Sequence, residues 1–166
     1  MAMLTVKQTN ELTSQELVQV LKERVAVFVV EQNCPYQEVD ADDFDDLHVQ
    51  LTDDAGQLQA YTRIMDRGDS VTFGRVLVVK AYRGTGLGQQ IVQATLDAIA
   101  KRFPGKPIQI QAQAYLQKFY AGFGFKPVSA VYLEDDIPHL DMRLEATHDW
   151  RVTGSGQYCA GVGFNC

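Results

Sequence analysis

The sequence is short of basic charge, of cysteine and of long apolar runs, and each shortage excludes something. Fifteen Lys and Arg stand against 21 Asp and Glu, a formal charge of -6. Nucleic-acid binding needs clustered cations to neutralise phosphates, and no cluster occurs, so no nucleic-acid partner is expected. Cys34, Cys159 and Cys166 form neither a CxxC pair nor a metal-ligand spacing. That pattern argues against a disulfide framework and a zinc site, and reduced thiols are expected. No apolar run approaches the ~20 residues that span a bilayer, and the start, MAMLTVKQTNE, lacks the charged-then-apolar pattern of an export signal. A cytoplasmic location with no membrane partner is expected.

The shortage of cations is uneven. No Lys or Arg falls between Arg24 and Arg63, while Glu31, Glu38, Asp40, Asp42, Asp43, Asp45, Asp46, Asp53 and Asp54 all do. Two readings stand: a solvated acidic loop, or a surface that attracts a cationic substrate. Calcium is not expected, because an EF-hand loop started at Asp40 would have Phe44 at its fifth position, Asp45 in place of the glycine and Leu51 at its twelfth. No metal is expected.

What is present suits one domain: 166 residues, 46% of them hydrophobic. Thr13 and Glu16 form a capping-box pattern, and Leu17, Val20, Leu21, Val25 and Phe28 follow at helical spacing, which predicts a helix over 13–30. HVQLT and QLQAYTRIM flank the turn residues DDAG and predict a hairpin; DRGDS is a second turn before the strand VTFGRVLVV. Ile91, Val92, Leu96 and Ile99 predict a helix over about 87–102, ended by FPG. PIQIQAQ alternates as a half-buried strand, YLQKFYAGF fits a short helix, and PVSAVYL and HLDMRL are two more strands. The expected class is α/β (α+β), a mixed sheet in which antiparallel pairs flank one parallel βαβ unit. From Thr147 onward the chain is Gly-rich and aperiodic, so 147–166 is read as either a disordered extension or a non-native segment, outside a domain of 1–146.

The stretch RVLVVKAYRGTGLGQQIV, residues 75–92, carries the chemistry. A strand runs into glycines that open a helix, and a helix start offers unpaired amides and the positive end of a dipole to an anion. The missing GK[ST] argues against a P-loop. Gly84, Gly86 and Gly88 form G-x-G-x-G rather than G-x-G-x-x-G, and the position ~20 residues on holds no acid, which argues against a dinucleotide site.

The remaining pattern, R-G-x-G-x-G after a strand, resembles the signature of the GNAT superfamily of N-acetyltransferases. FYAGFGF at 119–125 resembles that family's later Y-x-x-x-G-F motif, and the element order agrees over residues 3–145. RVAVFVVEQNCPYQEVDADD, GRVLV and EDDIPH further resemble its ElaA-like subfamily. The resemblance implies the GNAT fold and acetyl-CoA as cosubstrate. It places the diphosphate on the amides of Arg83, Gly84, Thr85, Gly86, Leu87 and Gly88, and the pantetheine arm along the backbone of Leu77 and Val79 as an added strand. A bulge near Leu77 is expected to splay this strand from the one at 107–113. It also implies an oxyanion donor among the amides near Leu77, and Tyr120 as the acid for the departing thiolate, where the structural alternative is a core aromatic beside Phe119, Phe123 and Phe125. Dimers are common in the superfamily; no homodimer interface is legible here.

The acceptor is expected to be a primary amine of a small molecule or peptide, attacking the thioester directly with help from a general base. Glu31, Glu38, Asp40, His48, Glu134, Asp136 and His139 are eligible by chemistry, with His139 and Glu31 foremost. Cys34 lacks the basic neighbour that would activate it, so inert packing is expected rather than an acyl-cysteine. Two alternatives remain open: an acyl-homoserine-lactone-synthase-like acyltransferase, which RVAVFVV and the aspartates after it also resemble, and a non-catalytic acyl-CoA sensor.

Overall fold

The computed structural model describes residues 3–146. The C-terminal segment whose character the sequence left open lies outside the described residues. Within them, one mixed sheet carries eight strands: β1 (Met3–Gln8), β2 (Leu47–Thr52), β3 (Leu58–Asp66), β4 (Val71–Val78), β5 (Ile108–Gln113), β6 (Lys126–Pro127), β7 (Tyr132–Glu134) and β8 (Ile137–Leu144). Their order is β1-β2-β3-β4-β5-β8-β6, with β7 folded back on β8. The β4–β5 pairing is parallel and every other pairing is antiparallel. β1, at the edge, was not expected from the sequence. PVSAVYL is not one strand but two short pieces, β6 and β7.

Helix α1 (Ser14–Val25) starts on the expected capping box: Thr13 Oγ1 accepts from the Glu16 amide and Glu16 Oε1 accepts from the Thr13 amide, both at 3.1 Å. It does not run to residue 30 as a regular helix but widens into a π-helical stretch at Ala26–Glu31. Such widening moves side chains around the axis and is frequent beside functional sites. α2 (Leu87–Arg102) buries Leu87, Ile91, Val92, Leu96 and Ile99 as expected. α3 (Gln117–Ala121) is short. Among the described residues, no helix is long and apolar enough to cross a membrane.

The two core halves identify the two faces of the sheet. Val76 and Val78 of β4 pack with the α2 stripe, and Leu77 between them packs with Val20, Val27 and Phe28. Alternate side chains of a strand point to opposite faces, so α1 covers one face and α2 the other.

Candidate functional site

β4 and β5 pair only where they begin. Val71 and Ile108 are the paired residues, with the Val71 amide donating to Pro107 O at 2.9 Å. Beyond them the two strands part, leaving a wedge between their C-terminal halves. A bulge sits in the wall of that wedge: Tyr61 pairs with Leu77 and Arg63 with Gly74, so Arg75 and Val76 together oppose the single residue Thr62. Arg75 takes φ 51°, a left-handed conformation uncommon for a side chain of its size.

The backbone register in the wedge differs by one residue from that expected. The Val79 amide donates to Gln59 O on β3 at 2.8 Å. A trans peptide points its N–H and C=O in opposite directions, so Val78 C=O faces the wedge. In an antiparallel ladder the groups of Leu77 are then also turned to β3, opposite Tyr61, and those of Val76 and Val78 are turned out. Leu77 and Val79 do not offer their backbone to a ligand in the wedge.

At the mouth of the wedge, Gly84 and Gly86 take φ 80° and 82°, and α2 starts after Gly86 with no side-chain cap on its first amides. Nothing lies within 4 Å of where a Cβ would stand on either glycine. The loop is held from behind by Thr85 Oγ1, which donates to Tyr82 O at 2.7 Å. Arg83 departs from its expected place: its amide closes a tight turn onto Lys80 O at 3.4 Å, and its guanidinium binds Val78 and Glu31. Nε donates to Val78 O at 3.0 Å, and Nη1 and Nη2 grip the two oxygens of Glu31 at 2.5 and 2.8 Å.

The wedge opens into a cleft of about 640 Å³. Phe28 and Tyr36 line it from the α1 side, Arg75 from the bulge, Gln113 from β5, Tyr120 from α3 and His139 from β8. Tyr120 is both core aromatic and cleft lining: it is 4% exposed, and its ring sits 5.1 to 6.3 Å, centre to centre, from those of Phe119, Phe125 and Phe73. His139 stacks on Tyr132, and its Nδ1 lies 2.7 Å from Ile137 O. A carbonyl only accepts, so Nδ1 carries a proton, and in the neutral ring Nε2 is the acceptor. Tyr132 in turn donates to Asp141 Oδ1 at 2.6 Å, and burial pushes its phenol above the usual range. Glu31 is not a base aimed at the cleft; it belongs to the Arg83 pair.

Glu38, Asp40 and Asp43 of the acidic window are neither solvated nor open, whereas Asp45 and Asp54 stay exposed. Arg24, fully buried on α1, donates to Asp43 and to Glu38; Arg63 from β3 donates to both oxygens of Asp40 and to Asp43; Arg75 donates to Glu38 Oε1 and to Glu38 O. Burial raises the Asp43 carboxyl, but the bonds from Arg24 and the Asp40 amide outweigh it and hold the group down at about 2. Tyr36 covers the Arg75 guanidinium, with 5.2 Å from its carbon to the ring centre, and burial pushes the Tyr36 phenol up to about 12. The cations that match the window come from outside it in sequence, which is why its charge count misleads. These residues shape the cleft wall, and only the strand register and the bulge, not any motif, point to Val76, Val78 and Arg75.

His48 also leaves the set of bases. Thr9 Oγ1 donates to Asp43 O at 2.7 Å and so accepts from His48 Nε2, also at 2.7 Å, while His48 Nδ1 receives the Tyr61 hydroxyl proton. The ring is fully buried, and burial pulls its titration down to about 4. Cys34 lines the cleft, half-buried.

A family model described as the acetyltransferase (GNAT) domain matches residues 9–146. Protein ElaA of Escherichia coli K12 is 47% identical over 141 residues, 82% of this chain and 92% of that protein. The crystal structure of an acyl-CoA N-acyltransferase from Pseudomonas aeruginosa superimposes with a TM-score of 0.82 at 44% identity, covering 86% of this chain and 99% of that one. A CoA-dependent acyl-homoserine lactone synthase has a TM-score of 0.77, covering 90% of this chain and 86% of its own, but at 14% identity it shares the fold alone. The chain belongs to the GNAT family, in its ElaA-like branch, and is an acyltransferase. That family works with an acyl-CoA cosubstrate and an amine acceptor.

Proposed function

We propose that the protein is an acetyl-CoA dependent N-acetyltransferase that acts on a primary amine of a small molecule or peptide by direct attack on the thioester. One observation carries the reading: the cleft lined by Tyr120 and His139 reaches Val76 of β4, and from there the chain runs through Val78 to the uncapped start of α2. The residues present fit the cosubstrate. The amides of Leu87 and Gly88, left without a cap behind the left-handed Gly84 and Gly86, suit a diphosphate. Space over both glycines is open. Val76 N–H and C=O and Val78 N–H have the spacing of a strand edge, which suits an extended amide arm, while Val78 C=O already accepts from Arg83 Nε.

The thioester, when bound, supplies the activated acetyl group. The chain's residues do the rest. An amide of the bulge, Val76 by its direction, lies on the wedge side where an oxyanion forms. Tyr120, on α3, lines the cleft, and its hydroxyl is the acid for the departing thiolate. His139 has its proton fixed on Nδ1 by Ile137 O, so Nε2 is the base for the acceptor ammonium, directly or through one water.

The test is incubation with acetyl-CoA and a panel of polyamines, amino acids and peptides, with thiol release read colorimetrically. Release that depends on one class of amine supports the reading. CoA binding without release across the panel would replace it with the sensor reading.

A further inference from the structure

We infer that Arg83 is a positioning residue that fixes the register in which an extended arm adds to the open edge of β4. The inference rests on the acyl-CoA reading above. A ligand that pairs with a strand edge meets the same pair of groups every second residue, so it can slip by two residues, about 7 Å, and pair equally well. Slippage of that size would carry the thioester away from Tyr120 and His139. The diphosphate on the α2 amides pins one end of the arm, and a second contact beside β4 is needed to hold the flexible remainder in one register.

The edge itself supplies little discrimination, since Val76 and Val78 are the same residue type with the same outward backbone. The difference between them is Arg83. Its Nε donates to Val78 C=O at 3.0 Å, so a guanidinium stands at the last outward carbonyl before the glycine loop. An arm shifted toward the loop would meet a guanidinium where it needs an acceptor. An arm in the unshifted register keeps Val76 N–H, Val76 C=O and Val78 N–H.

The guanidinium is held in place to do this. Both terminal nitrogens are engaged by the two oxygens of Glu31, a planar fork on a planar carboxylate. Glu31 closes the π-helical stretch that is anchored by buried Val27 and Phe28. Side-chain exposure of 18% for Arg83 and 28% for Glu31 puts the pair partly out of solvent. Because Glu31 neutralises it, Arg83 adds little net attraction for a diphosphate; its effect is geometric.

The test uses the full chain and three variants, Arg83→Met, Arg83→Lys and Glu31→Gln. CoA binding is followed by calorimetry, thiol release with acetyl-CoA and the best amine of the panel, and amide hydrogen exchange with and without CoA. In the native protein CoA is expected to protect the Val76 and Val78 amides together. Arg83→Met is expected to keep CoA affinity within about threefold, lose about tenfold or more in kcat, and spread the protection along β4. Arg83→Lys, which restores a donor for Val78 O, recovers part of kcat. Glu31→Gln loosens the anchor without touching β4 and lowers kcat in the same direction. Native kcat and native protection in Arg83→Met, or a loss confined to CoA affinity with kcat intact, would overturn the inference while leaving the acyl-CoA reading standing. Absence of CoA binding to the native protein would sink both.

Discussion

Arg24 closes two of its guanidinium nitrogens on the two carboxylate oxygens of Asp43, at 2.6 and 3.0 Å, with no exposed surface of its own. The pair sits under the cleft wall: Asp43 also receives Arg63 and the Asp40 amide, and Arg24 Nε reaches Glu38, which holds Arg75. The loop that shapes the cleft is thus tied to α1, β3 and the β4 bulge by charges that have left water. Arg24→Met keeps the volume and strands Asp43 and Glu38 as buried carboxylates. Breaking a buried pair on one side costs about 3–5 kcal/mol. A corresponding drop in urea-unfolding free energy is expected, and a change under about 1 kcal/mol would place the network in the class of weak surface pairs.

Asp46 and His48 pull stability in opposite directions with pH. Burial raises the Asp46 carboxyl to about 7, and Arg63 at 3.4 Å, countered by Asp43, Asp42 and Asp40, does not offset it. Burial lowers His48 to about 4, helped by Arg24 and Arg63 against Asp43. From about pH 4 to 6.5 the unfolded chain has lost the Asp46 proton that the folded one keeps, so stability falls as pH rises. Over the same window the unfolded chain holds a His48 proton that the folded one lacks, so stability rises with pH. The two slopes, each about 1.4 kcal/mol per pH unit, cancel. Asp46→Asn removes one of them. Its stability is expected to fall on acidification from 6.5 to 4 more steeply than that of the native chain, by up to that slope; parallel curves from denaturant titrations would refute the pairing.

Much of this fold is written in local pattern. The capping box at Thr13, the α2 stripe and the alternation of β5 each depend on neighbours in the chain, and each stands where the sequence places it. β1 escaped because it is an edge strand: Met3 and Leu4 stay exposed, so no face is buried enough to impose alternation. The site divides the same way. The positions of the glycine loop before α2 and of Tyr120 on the cleft wall are legible because each depends on a few adjacent residues. The outward amides of Val76 and Val78 are not, because a bulge at Arg75 shifts their direction by one residue, and a bulge is set by the partner strand. The fate of the acidic window depends on Arg24, Arg63 and Arg75, none of which lies within it.

Tyr120→Phe removes one oxygen and keeps the ring among Phe73, Phe119 and Phe125. If the hydroxyl protonates the departing thiolate, kcat falls by ~10²-fold or more while CoA affinity by calorimetry stays put. A variant as fast as the native protein would leave Tyr120 a packing residue alone.

His139→Gln removes the ring nitrogen that faces away from Ile137 O. Turnover at saturating amine is expected to drop by ~10²-fold, with CoA binding unchanged. For His139→Ala, added imidazole at millimolar concentration is expected to recover part of the rate by entering the space beside Tyr132. Retention of full turnover in both variants would move the base to another group of the cleft.

Gly86→Ala and Gly56→Ala make a matched pair that separates strain from ligand contact. Gly86 has φ 82° and Gly56 has φ 81°, and at neither does anything lie within 4 Å of a new Cβ. Each substitution therefore meets only the left-handed backbone penalty, about 1–2 kcal/mol, or a few degrees in melting temperature for a chain of this size. Gly56 lies in the β2–β3 turn, whereas Gly86 is the residue immediately before the uncapped α2 amides. Both variants are expected to melt a few degrees early. Only Gly86→Ala is expected to weaken CoA binding, by about tenfold or more, which corresponds to 1.4 kcal/mol. Equal CoA affinity in the two would mean that the diphosphate is held somewhere other than the start of α2.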